Sequence, residues 1–78
     1  MPTELDRVLQ RLGEINRRTI EHLKDATQRS NDIIDRMILR SQASGYINCL
    51  YANNIVTEEE RDLLYGYVKG EYGNAKIQ

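Results

Sequence analysis

Residues 53–60, Asn-Asn-Ile-Val-Thr-Glu-Glu-Glu, constrain the fold of this chain more than any other stretch. Asn53 and Asn54 tolerate the left-handed geometry in which helices end. Thr57 and Glu60 then form a T-x-x-E capping box. Glu58 and Glu59 fall in the first turn of the following helix, where the helix dipole favours acids. One helix therefore has to stop here and another has to start. With a five-residue loop the two run antiparallel, as an αα-hairpin, and the second is predicted over residues 58–72. Its Leu63, Leu64, Tyr67 and Val68 are expected to pack back on Tyr46, Ile47 and Leu50, with Ile55 and Val56 tucked inward from the turn.

Upstream of the turn the chain also reads as helix. Pro2 is the only proline, glycine is sparse before residue 66, and neither sustained alternation nor an Asn-Gly turn signals strands, so the class is all-α. Thr3 is a candidate N-cap, with Asp6 as the acidic half of its box. Leu5, Val8, Leu12 and Ile15 follow at 3-4-3 spacing. The phase shifts near Thr19 and Ile20 and continues through Leu23, Thr27, Ser30, Ile34, Met37 and Ser41. A four-residue shift is a stutter, which unwinds a supercoil locally without ending a helix. Arg17 with Glu21, Asp25 with Arg29, and Asp32 with Arg36 are spaced i,i+4 as stabilising pairs. The stretch DATQRSNDII is polar, and Ser30 or Asn31 suits a new cap. Residues 4–52 are thus either one long amphipathic helix or two, broken near residue 30.

Seventy-eight residues make a single domain, residues 1–78, small enough that such chains often need a disulfide, a metal or a partner. Cys49 is the only cysteine and His22 the only histidine, so neither an internal disulfide nor a structural zinc site is expected. Self-association remains, and Leu5, Val8, Leu12, Ile15, Leu23, Ile34 and Met37 are assigned to the interface of a helical homo-oligomer. The net charge of −1 gives no strong field toward nucleic acid or membrane. No apolar run approaches the roughly 20 residues of a membrane span. The opening MPTELDRVLQ lacks the apolar region of a signal peptide, and with a reduced thiol this favours the cytoplasm.

Gly66, Gly70 and Gly73 share one helix face, and Ser41, Gly45 and Cys49 form a comparable small-residue stripe, with Cys49 expected to be buried. An interior glycine costs roughly 1 kcal/mol against alanine. The helix frays after Val68, or packs closely on a neighbour, or brings its backbone to a ligand. All five tyrosines lie in the last 33 residues. Tyrosine faces stack on nucleobases and nearby cations meet phosphates. Tyr65, Tyr67, Tyr72, Lys69 and Arg61 are therefore the candidate site for an anionic, nucleotide-like ligand; the plainer alternative is a thin core of tyrosines with their hydroxyls in water.

Catalysis finds little support. His22 has no second histidine or partnered serine near it in sequence, and no metal or cofactor is expected. The helix after the turn opens TEEERD, four acids where a DNA-reading helix would meet phosphates. Arg7, Arg11, Arg17, Arg18 and Lys24 are interleaved with Asp6, Glu14, Glu21 and Asp25, as on an ordinary salt-bridged surface. Nucleic acid is accordingly not the expected partner.

Residues 43–68, ASGYINCLYANNIVTEEERDLLYGYV, resemble a pattern of small phage and prophage accessory proteins: a Gly-Tyr-Ile helix, a turn ending Ile-x-Thr-Glu-Glu, and a leucine-rich helix. The resemblance implies a compact helical protein that acts by binding, often as an oligomer, to disable a host enzyme, defence system or signalling nucleotide. It carries no binding residue across. The reading is a non-enzymatic protein of the host cytoplasm that inhibits a host protein or sequesters a small ligand as a homo-oligomer. The alternatives are a DNA-associated regulator using the basic positions of the first helix and a coiled-coil adaptor.

Overall fold

The structure, a computed structural model, describes residues 3–70. Within them the chain is all-α: α1 (Glu4–Arg11), α2 (Glu14–Arg29), α3 (Ile33–Ala52) and α4 (Glu58–Lys69). None of these helices is long and apolar enough to cross a membrane.

Both anticipated capping boxes form. Thr3 Oγ1 accepts from the Asp6 amide and Asp6 Oδ2 from the Thr3 amide, each at 3.1 Å. At α4, Thr57 Oγ1 accepts from the Glu60 amide at 3.2 Å and Glu60 Oε1 from the Thr57 amide at 2.8 Å. Each box satisfies two of the donors that a helix start leaves orphaned. Asn54 supplies the left-handed residue of the turn, at φ 61°.

The 4–52 stretch is not one helix, and it breaks twice. The break near residue 30 is the second alternative of the sequence reading, although its cap is Asp32 rather than Ser30 or Asn31: Asp32 Oδ1 accepts from the Ile34 amide at 2.8 Å. That contact, and Arg36 Nε donating to the Ser30 carbonyl at 2.8 Å, replace the expected Asp32–Arg36 ion pair. The other break, at Leu12–Gly13, was not anticipated. Gly13 opens α2 at φ 86°, a backbone conformation that glycine adopts without strain. It divides the Leu5–Ile15 run, so that Leu5, Val8 and Leu12 are buried while Ile15 is exposed.

α4 is the central element. It packs on α2 and α3 along its length and more briefly on α1. Ile20, Ile47 and Leu64 are fully buried, with Val8 and Val68 beside them. Leu64, Val68, Ile47 and Leu50 meet as the hairpin requires, and Tyr46, Leu63 and Tyr67 cover the margin. Val56 turns inward but Ile55 does not. The amphipathic stripes thus satisfy each other within one chain. Leu5, Val8, Leu12 and Leu23, assigned to an oligomer interface, belong to the chain's own core, whereas Ile15, Ile34 and Met37 are left outside.

α4 ends at Lys69, short of the predicted residue 72. Gly70 closes it in the left-handed conformation, at φ 79°, which accounts for that glycine as a C-cap. Gly73 and Tyr72 lie outside the described residues.

Candidate functional site

α3 is apolar on two sides, and this defines the candidate surfaces. Its C-terminal half buries Ala43, Ile47 and Leu50 against the other helices. Its N-terminal half has no fully buried residue: residues 31–38 are all exposed, Leu39 is half-buried, and Ile33, Ile34, Met37 and Ile38 keep between 51% and 74% of their surface in water. Helical spacing sets Ile34, Met37 and Ile38 on the same outer face as Ser41, Gly45 and Cys49, and all six are exposed. The outer face is therefore bulky at its first two turns and smooth beyond them. Cys49, expected inside, lies on this smooth half. A Cβ built on Gly45 would meet nothing within 4 Å, so no packing inside the chain calls for a glycine there.

On its inner side, the line of Ala43 and Ile47 runs back toward the N-terminus through Arg40 and Arg36. There the core gives way to a concavity of about 270 Å³, lined by Arg36, Arg40, Thr27, Gln28, Lys69 and Gly70. It lies where α2 and α4 both end. A second hollow, walled by Met37, Arg40, Ser41, Ser44 and Lys69, shares Arg40 and Lys69 with it and leads toward the outer face.

The predicted tyrosine-site residues within the described segment lie along α4, each with its own local partners. The Tyr65 hydroxyl donates to Asn48 Oδ1 at 2.6 Å while Lys69 Nζ sits 5.8 Å from the centre of its ring. Tyr67 has Lys24 Nζ 5.1 Å from its ring centre. The guanidinium of Arg61 lies 4.6 Å from the ring centre of Tyr51, and Arg61 also pairs with Glu58 and Asp62. Each aromatic face named here has a cation of its own chain nearby, a contact worth about 0.5–1 kcal/mol at exposed sites. Tyr46, on the core margin, donates its hydroxyl to Asn16 Oδ1. Of the predicted ligand residues that are described, Lys69 alone lines the basic concavity.

Basic positions elsewhere are largely neutralised. Arg18 pairs with Glu14 at 2.6 Å, Arg17 with Glu21 at 3.7 Å and Lys24 with Asp25 at 3.1 Å. The hydrogen bond to Asp25, and secondarily the nearby Tyr67, hold the Lys24 ammonium above its ordinary pKa. Arg11 is bound to Glu60 through both terminal nitrogens, at 2.6 and 2.7 Å, and reaches the Ile55 carbonyl at 3.3 Å. This ties α1 to the turn before α4. Hydrogen bonds from Arg11, then from the Thr57 amide, pull the Glu60 carboxyl down to about 2. Among the described residues Arg36, Arg40 and Lys69 make no ion pair with an acid.

Sequence reasoning missed Thr27, Arg36 and Arg40 as a group. Thr27 was visible only as one of three polar members of a mixed stripe, Arg36 read as half of an i,i+4 pair with Asp32, and Arg40 was not singled out. No family model matches this chain, and no curated protein or solved structure matches it either.

Proposed function

We propose that this chain is a non-enzymatic binding protein that works as a homodimer, paired through the outer face of α3. The observation that carries the reading is the cluster Ile33, Ile34, Met37 and Ile38, exposed together on two turns of one helix. Contiguous apolar surface of this kind marks interaction sites, whereas scattered apolar residues do not. Covering these four side chains is worth on the order of 4–8 kcal/mol per chain. A dimer covers two such patches, about 8–16 kcal/mol in all, which is comparable with the about 4–15 kcal/mol that association costs, so the fit of the rest of the face decides the outcome.

That fit favours a second copy of the chain. An isologous interface repeats the same patch on both partners. In an antiparallel α3 pair with its two-fold axis near residues 41 and 42, Ile34 lies over Cys49 of the partner subunit and Ile38 over Gly45 of the partner subunit. Bulky half then meets smooth half twice. This also supplies a reason for Gly45, which the chain's own packing does not. The reading retains the class that residues 43–68 resemble, compact helical proteins that act by capture, and gives it a surface.

Sedimentation equilibrium of the wild type and of an Ile34→Glu, Ile38→Glu variant tests it. Both positions are exposed, so the variant should keep wild-type helicity. The expected result is a dimer at tens of micromolar that becomes a monomer in the variant; a wild-type monomer at that concentration would overturn the reading.

A further inference from the structure

We propose that the concavity between the ends of α2 and α4 and the first turns of α3 is an anion site. It would take the phosphate groups of a small phosphorylated molecule. The proposal concerns one chain and does not depend on pairing through the outer face of α3.

Three cations line this small space. Arg36 is held in place by its Nε, which donates to the Ser30 carbonyl at 2.8 Å and leaves the two terminal nitrogens of the guanidinium for a ligand. A fork of that kind matches the oxygens of a phosphate. Asp32, the acid one helical turn before Arg36, is engaged with the Ile34 amide. Lys69, at the last turn of α4, is explained by the helix dipole, which favours cations at C-termini. Arg36 reaches the C-cap carbonyl of α2 at Ser30, where the dipole likewise favours positive charge. The chain as a whole carries −1, so attraction of an anion has to be local to this pocket.

Thr27 is an independent sign that a polar ligand belongs here. Its side chain lines the same pocket, the residue is only 2% exposed, and its hydroxyl has no hydrogen-bond partner. Buried hydroxyls are nearly always bonded, and a threonine inside a helix commonly turns back to the carbonyl four residues earlier. Thr27 does neither. Gln28 Nε2, which donates to the Tyr67 carbonyl at 3.4 Å, adds an amide to the wall that Gly70 also lines. A volume of about 270 Å³ suits one or two phosphate groups rather than a whole drug-sized molecule. The adjoining hollow past Arg40 and Lys69, with Met37 at its far side, leaves room for the organic remainder.

Calorimetric titration of the full chain with pyrophosphate, and separately with ATP, tests the site. The expected result is saturable binding of one molecule per chain. Affinity should fall at least tenfold in Arg36→Gln and in Arg40→Gln, fall several-fold in Thr27→Val, and stay unchanged in Arg7→Gln. Binding of ATP tighter than pyrophosphate supports a role for the adjoining hollow, and equal binding supports recognition of the phosphates alone. The proposal is overturned if neither anion binds saturably, or if binding survives both arginine substitutions in variants that keep wild-type helicity. The Ile34→Glu, Ile38→Glu variant should still bind saturably as a monomer, which separates failure of this site from failure of the dimer.

Discussion

Replacing Glu60 by glutamine should expose how much of this small fold depends on one carboxylate. Glu60 accepts two hydrogen bonds from the Arg11 guanidinium and one from the Thr57 amide, so it serves both as the α4 capping-box acid and as the anchor of α1. These contacts hold its carboxyl at about 2, against an ordinary 4.5. A depression of that size corresponds to at most about 3 kcal/mol of stability at neutral pH. The Arg11 side chain is 54% exposed, and screening by water reduces the worth of its share, leaving about 1–2 kcal/mol. The sign follows from the direction of the shift. Because the folded state holds the carboxylate more tightly than the unfolded chain, the contribution is complete above about pH 5. It is lost progressively as the pH falls toward 2. Thermal unfolding followed by circular dichroism between pH 7 and pH 2 measures it. Glu60→Gln should lower Tm by about 5–15 °C at pH 7, given about 4–8 °C per kcal/mol for a domain of this size. The gap between variant and wild type should close near pH 2. Curves that stay parallel from pH 7 to pH 2, or a variant within a degree of the wild type at pH 7, would refute the reasoning.

Three further substitutions separate the roles of single positions. Thr27→Val removes a buried hydroxyl that has no partner, so the ligand-free chain should gain about 1 kcal/mol in urea unfolding, at the lower end of the cost of an unsatisfied group; destabilisation would show that the hydroxyl is bonded. Gly45→Ala should stabilise the isolated monomer by up to about 1 kcal/mol, since its Cβ enters open space, and weaken the dimer in sedimentation; an unchanged dimer would argue against antiparallel α3 pairing. Gly70→Ala forces a side chain into φ 79° with its Cβ 3.3 Å from Gln28 Nε2, and should cost about 1 kcal/mol in the same unfolding assay.

Chemistry confined to a few neighbouring residues was legible in the sequence. Both capping boxes, the Asn53–Asn54 stop and the hairpin's apolar partners depend on side chains within one turn or on a short loop, and all of them form. The Leu12–Gly13 break was not legible from periodicity, because the 3-4-3 spacing continues through it; Gly13 itself was the only available signal. Past that break and the one at residues 30–32, residues on one continuous sequence stripe part company. Leu23 and Thr27 face the core while Ile34 and Met37 face water. The local partners of the aromatic cluster were not legible either. Tyr65 and Tyr67 are neighbours in sequence, but each ring meets a different cation, one from α4 and one from α2. The basic concavity draws Thr27, Arg36 and Lys69 from three helices, and no local pattern announces a tertiary grouping of that kind.

The first two turns of α3 are where the two proposed surfaces meet. This segment has no fully buried side chain, only the half-buried Leu39, and Arg36 ties it to Ser30 at the end of α2. Few buried contacts mean a low free energy of local opening. An anion held by Arg36 and Arg40 would fasten its inner side, and a second chain laid on Ile34, Met37 and Ile38 would fasten its outer side. Both events order the same residues, so each should ease the other without any change of shape, and linkage makes the effect equal in both directions. Amide hydrogen exchange across residues 33–40 reads this directly. Protection should rise with pyrophosphate alone in the Ile34→Glu, Ile38→Glu monomer and rise further in the wild-type dimer. Exchange in this segment that ignores both ligand and dimer formation would mean that the two surfaces, whatever they bind, are energetically separate.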